Sequence, residues 1–178
     1  TWNTREYIGY SEQRENQDKK SVEEIVEEYH KWDEQNPNTI VGAEIQMDIR
    51  IGDYIVDGKI DRVEQTPDGE YVIVDYKTGG KNKEITNLNE SLQLNIYAMG
   101  LQAKKKFGKL PKLISYFYPE KEGQKIFSYE VTQTDVDNTK RKLEEFLNLI
   151  DNGEFGADPD MMKCSWCDYK DLCDESQA

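Results

Sequence analysis

The sequence is poor in cationic charge, in histidine and in long apolar runs. Lysine and arginine number 23 against 36 acids, for a net charge of -13. That balance counts against a nucleic acid held by a basic surface alone, since such binding rests on cations meeting phosphates. A divalent metal bridging carboxylates to phosphate, or a basic neighbouring domain, would meet the objection. No run of about 18 apolar residues occurs, so no membrane association is expected. No signal-peptide pattern opens the chain, and Thr1 stands where a Met would, so a fragment or processed chain is expected. The 3 cysteines, Cys164, Cys167 and Cys173, all lie near the C-terminus. An odd, closely spaced set reads poorly as a disulfide framework; it fits a metal site and a reducing, cytoplasmic compartment better.

What is present is ample for a folded domain. The 178 residues fit one domain able to bury a core, and 11% aromatics argue against disorder. Ser21 and Glu24 form a capping-box pattern, and Val22, Ile25, Val26, Tyr29 and Trp32 follow at helical spacing, predicting a helix over 21–35. Ile45, Met47, Ile49 and Ile51 then alternate with Glu44, Gln46, Asp48 and Arg50, as in a half-buried strand. Turn signals at Gly52-Asp53 and at Thr66-Pro67-Asp68-Gly69 divide 43–77 into a three-stranded meander. A helix is expected over 89–107, with Leu92, Ile96, Met99, Ala103 and Phe107 on one stripe and Gly108 at its end. Strands at 112–118 and 125–131 precede a last helix from Thr134, with Leu143, Phe146, Leu147 and Ile150 inward. The order αβββαββα predicts a mixed sheet with helices on it. Boundaries are expected as a helical segment 1–40, a core 41–155 and a Cys-rich tail 156–178.

Asp75 and Lys77 sit two apart on the third strand, so their side chains leave one face. Asp61 lies on the strand that a hairpin pairs with it. Two neighbouring carboxylates repel unless something positive joins them. Mg²⁺ suits that place: it takes hard oxygen ligands and few protein carboxylates, leaving room for phosphate and water. A lysine beside it can orient water or hold phosphate. Together the three residues suit phosphodiester hydrolysis. Lys81 and Lys83 follow the catalytic strand, and Lys104 and Lys105 follow the second helix. They fit either a DNA-guiding edge or a solvated helix end.

These residues resemble the PD-(D/E)xK nuclease superfamily, in its RecB-like exonuclease branch. Gly58, Ile60, Asp61 and Arg62 match G-x-(I/V)-D-R, Asp75 and Lys77 match D-x-K, and Gln93 and Tyr97 match Q-x-x-x-Y. The resemblance implies an α/β, restriction-endonuclease-like fold: a mixed central β-sheet flanked by α-helices. It implies a Mg²⁺- or Mn²⁺-dependent deoxyribonuclease acting in DNA repair or recombination. Metal ligands would be Asp61, Asp75 and the backbone carbonyl of Tyr76, with Glu44 either a further ligand or a solvent-facing strand residue. Lys77 would serve the attacking water, and Gln93 and Tyr97 would shape the DNA-facing wall. The C-x₂-C-x₅-C run of Cys164, Cys167 and Cys173 resembles part of the four-thiolate [4Fe–4S] staple of AddB-type relatives. The upstream fourth cysteine of that staple is missing. The family's early histidine is missing too, since His30 falls on a charged helix and reads as a surface residue. Both gaps lie upstream, so a C-terminal fragment is expected, its parent fused or bound to a helicase. The rival expectations are a catalytically inactive DNA-binding or scaffold domain of the same fold, and a hydrolase of small phosphoesters.

Overall fold

The computed structural model describes residues 11–78, 86–154 and 156–177. Its elements run α1 (Glu12–Gln35), β1 (Thr39–Ile51), β2 (Tyr54–Gln65), β3 (Tyr71–Tyr76), a 3₁₀ turn (Leu88–Glu90), α2 (Leu92–Ala103), β4 (Leu113–Phe117), β5 (Ile126–Glu130), α3 (Gln133–Asp151) and α4 (Met161–Trp166). One five-stranded sheet has the spatial order β1-β2-β3-β4-β5. All neighbours pair antiparallel except β3 and β4, which are parallel across the α2 crossover. The expected mixed α/β sheet with flanking helices is therefore what forms. The chain divides into two compact units, Thr1–Lys140 and Arg141–Ala178.

In the first unit, β3 and its neighbours separate two environments. Val72, Val74 and Phe117 are buried with Tyr29 and Trp32 of α1 packed against them. The Trp32 and Phe117 rings stack 4.5 Å apart. The opposite face carries Ile73 and Ile114, both fully buried. There α2 comes very close to β1: a Cβ on Gly100 would lie 2.1 Å from Met47 Sδ, so only glycine fits.

Three local expectations change. Helix α1 begins ten residues earlier than its apolar spacing predicts, at the Ser11 cap, whose side chain accepts from the Arg14 amide at 3.2 Å. Ser21 therefore lies inside the helix and caps nothing. Good helix formers carry 12–20, helped by a Lys19–Glu15 pair one turn apart, without any apolar stripe. On α2 the buried residues are Leu94, Asn95, Tyr97, Ala98, Met99, Gly100 and Leu101, while Ala103 is exposed. The helix is apolar nearly all round, so periodicity could not choose its phase. It stops at Ala103, and Gly108, at φ +67, closes the following turn instead.

At the start of α3, Thr132 and Asp135 cap each other: the Thr132 amide donates to Asp135 Oδ2 at 2.8 Å, and the Asp135 amide donates to Thr132 Oγ1 at 3.3 Å. In the second unit Leu143 is buried, but Phe146 and Ile150 are half exposed rather than inward. A periodic stripe shows which residues can be buried together, not that a surface is there to cover them. Asp160 caps α4 by accepting from the Lys163 amide at 2.8 Å.

Candidate active site

Antiparallel pairing of β2 with β3 runs from Gln65↔Tyr71 to Arg62↔Val74. One step further, Asp61 stands opposite Asp75. The ladder ends there, and the Asp61 carboxylate takes over its last donor: the Tyr76 amide donates to Asp61 Oδ2 at 3.0 Å. The side chain thus satisfies a strand-end amide while staying beside Asp75.

Asp75 is 2% exposed. Its Oδ1 accepts a long 3.3 Å hydrogen bond from Gln93 Nε2. Its Oδ2 meets Lys77 Nζ at 2.7 Å, charge to charge, yet takes no aligned hydrogen bond. Burial raises the Asp75 pKa above its ordinary value; Lys77 opposes that rise and the charge of Asp61 adds to it. Burial works against the Lys77 ammonium as well, but Asp75 more than offsets it and its pKa is raised. The ammonium is firmly held, whereas the carboxylate is poorly compensated.

Gln93 organises the rest. Its Oε1 accepts from Lys77 Nζ at 2.8 Å, and its Nε2 donates to the Tyr97 hydroxyl at 2.9 Å. Gln93 and Tyr97 are one turn apart on α2, so one helix face meets the carboxylate and the lysine together. Four of the five residues singled out from sequence therefore share one hydrogen-bonded network, and Asp61 adjoins it through the Tyr76 amide.

Glu44 lies opposite Asp61 in the β1–β2 register, between the pairs Ala43↔Arg62 and Ile45↔Ile60. Its backbone is left-handed, at φ 50, and its exposed side chain pairs with Lys59 at 3.1 Å. Glu44, Asp61, Arg62 and Tyr76 line one pocket of about 280 Å³ with Tyr29, Ile40 and Ala43. Among the described residues no three His, Cys, Asp or Glu side chains converge as a metal-holding group. That applies to Cys164, Cys167 and Cys173, which are buried, exposed and intermediate. A divalent cation still fits the Asp61–Asp75 pair. Asp75 Oδ2 is a buried, undersatisfied anionic oxygen, and Mg²⁺ asks for one or two carboxylates with the remaining places left to water and substrate. Lys104 pairs with Asp48 at 3.6 Å, Lys105 is exposed, and Lys81 and Lys83 lie outside the described residues. His30 is exposed on α1, as expected.

Sequence patterns missed two groups. One is Tyr116 on β4, whose ring lies 5.0 Å from Lys77 Nζ and whose hydroxyl is 2.7 Å from Ser91 Oγ. Neither belongs to a motif; only the parallel β3–β4 register, Asp75↔Tyr116, makes them neighbours of the site. The other is a charged cluster on the α1 side. Arg62, 3% exposed, meets Asp33 Oδ1 at 2.6 Å and Glu64 Oε1 at 2.6 Å, and donates to the Tyr29 and Tyr76 hydroxyls. The Asn36 and Asn38 side-chain amides, each at 2.8 Å, complete Glu64.

A five-stranded mixed sheet with a carboxylate pair, a lysine and a glutamine–tyrosine helix face defines the class: an α/β domain of the restriction-endonuclease-like kind. The chain belongs to the PD-(D/E)XK nuclease superfamily, whose model matches residues 2–174. Among the solved structures it is similar to are two that span much of its length. One is SSO0001, at 18% identity and a TM-score of 0.46, over 75% of this chain and 60% of that one. The other, from Eubacterium rectale, is named a putative exonuclease; it has 19% identity and a TM-score of 0.43, over 74% of this chain and 51% of that one. The chain thus spans less than two thirds of either protein's length. No curated protein matches it. No helix among the described residues is long and apolar enough to cross a membrane.

Proposed function

We propose that this chain is a Mg²⁺- or Mn²⁺-dependent deoxyribonuclease of the RecB-like exonuclease kind, working in DNA repair or recombination. The observation that carries the proposal is Asp75: a buried carboxylate facing a second one, with an oxygen that no hydrogen bond satisfies and a lysine clamped beside it. Architecture alone does not call for such a pair, because buried charge is costly unless fully partnered. Asp61, Asp75 and the Tyr76 carbonyl would hold the cation, and Glu44 could join only by leaving Lys59. A divalent ion there supplies Lewis acidity toward phosphoryl oxygens and makes bound water a stronger nucleophile.

The chain's own groups do the rest. Gln93 Oε1 keeps the Lys77 ammonium aimed at the carboxylate pair, where it can hold the attacking water or a phosphate oxygen. Tyr97 and Gln93 form a polar wall on one side. Lys104 and Lys105, with Lys81 and Lys83, would guide the backbone past an otherwise acidic surface. A helicase in the same chain or a partner subunit would deliver the strand. In a cluster-bearing form, Cys164, Cys167 and Cys173 would supply three thiolates of a [4Fe–4S] site whose fourth must come from elsewhere. Absorbance near 400 nm in anaerobic protein would report that cluster.

The test incubates end-labelled single- and double-stranded DNA with the chain and Mg²⁺ or Mn²⁺, beside Asp75→Ala and Lys77→Ala. Metal-dependent shortening by the wild type alone supports the assignment. Binding without cleavage would instead favour the inactive DNA-binding domain.

A further inference from the structure

We propose that Tyr116 is a positioning residue of the Lys77 centre, holding the ammonium against its ring and fixing the Gln93 amide through its hydroxyl. The proposal deepens the nuclease assignment and rests on it. Strand pairing places Tyr116 beside Asp75, and its ring centroid lies 5.0 Å from Lys77 Nζ. At that distance the ring face attracts the cation. Lys77 is therefore bounded by the Asp75 carboxylate, the Gln93 carbonyl oxygen and the Tyr116 ring.

Ser91 caps α2, its Oγ accepting from the Leu94 amide at 3.3 Å. The Ser91 and Tyr116 hydroxyls lie 2.7 Å apart, and either can donate to the other. The Tyr116 O–H also reaches Gln93 Oε1 at 3.5 Å, the outer limit of a hydrogen bond, and in that arrangement Ser91 donates to Tyr116. Gln93 Oε1 so receives two donors, Lys77 and Tyr116, while Nε2 faces two acceptors, Asp75 and Tyr97. A flipped amide would set its N–H groups against the ammonium and its oxygen against the carboxylate. One orientation survives, and Tyr116 helps to impose it from a strand outside every motif. The same hydroxyl ties the first turn of α2 to β4, so the helix bearing Gln93 is held in register with the strand beside Asp75.

The experiment compares wild type with Tyr116→Met, which keeps bulk without a π face, and Tyr116→Phe, which keeps the ring. Two readouts are taken on the full chain. One is the acylation rate of the Lys77 amine, followed by peptide mass spectrometry. The other is steady-state cleavage of labelled DNA with Mg²⁺. In Tyr116→Met, Lys77 should label about 5-fold faster, matching the loss of a partly shielded cation–π contact. Its kcat should fall about 10-fold with KM nearly unchanged, since alignment rather than binding is lost. Tyr116→Phe should label as wild type and lose about 3-fold in kcat. Equal Lys77 labelling in wild type and Tyr116→Met overturns the proposal, as does a change confined to KM. If the wild type does not cleave DNA, the nuclease assignment fails, while the labelling rates still decide whether Tyr116 holds Lys77. If Tyr116→Met has no cooperative melt, Tyr116→Phe decides: an unchanged kcat overturns the hydroxyl's role.

Discussion

The two faces of the sheet both bury charge, and they finish the task differently. On the α1 face, Arg62 and Glu64 are 3% and 1% exposed; Asn36 and Asn38 donate to Glu64, Tyr29, Tyr76 and Asp33 meet the Arg62 NH groups, and Arg62 Nε faces Glu64 Oε1 at 2.6 Å without an aligned hydrogen bond. Burial works against the Arg62 cation, but Tyr76, Asp33 and Glu64 more than offset it and its pKa is raised. Trp32 adds its ring face 4.8 Å from the guanidinium. On the α2 face, Asp75 is equally buried but has one long hydrogen bond, one unaligned ion pair and a second carboxylate as neighbour. Each network leaves one buried atom without an aligned hydrogen bond, Arg62 Nε and Asp75 Oδ2. The first, rich in asparagine and tyrosine partners, holds α1 to the sheet; the second gives Asp75 fewer partners and a second carboxylate beside it, where a cation would be favoured. Tyr76 joins them, its side chain in the first and its amide on Asp61 in the second.

Substitutions on the two faces should therefore separate activity from stability. The largest effect is expected from Asp75→Ala: cleavage of labelled DNA should fall about 1,000-fold, as loss of a Lewis acid worth several kcal/mol requires. Its melting temperature should hold or rise, because an undersatisfied buried charge goes with it. A large stability loss would show that Asp75 is architectural after all.

Arg62→Met should do the reverse, costing about 3–5 kcal/mol in urea unfolding because Glu64 is left buried without its cation. Unchanged stability would mean the Arg62 network contributes little. Gln93→Ala should lower kcat about 10-fold, the cost of a misaligned Lys77, with stability close to wild type.

Asp75→Asn sharpens the contrast through pH. Burial raises the Asp75 pKa in the folded chain above its ordinary 3.8. Between the unfolded and folded values, the native state keeps a proton that the unfolded chain has released. Stability from this group is therefore greatest below that window and falls as pH rises through it. Asp75→Asn escapes the fall, so urea unfolding at pH 4 and pH 7 should show its advantage over wild type growing at the higher pH. The smallest effect belongs to Glu44→Gly, which relieves a left-handed backbone and should stabilise by about 0.5–1 kcal/mol. Cleavage within twofold of wild type would leave Glu44 outside the metal site, and a tenfold drop would bring it in.

The carboxylates, the lysine and the Gln93–Tyr97 pair were legible because each depends on short spacing: two residues on a strand, four on a helix, a hairpin between two strands. Arg62 belongs to a recognisable motif, yet its partners do not. Its partners Tyr29 and Asp33 precede it by 33 and 29 positions, and nothing local marks them as neighbours. Tyr116 was invisible for the same reason, since it reaches Asp75 only through a parallel crossover.

The amino-acid order by itself determined the αβββαββα succession, the facing carboxylates and the lysine. Alternation, turn residues and helical period act over a few positions and need no distant partner. Only the tertiary structure decided which face of α2 is buried and which partners each buried charge finds. Those depend on surfaces brought together from far along the chain, where desolvation penalises every polar atom that finds no partner.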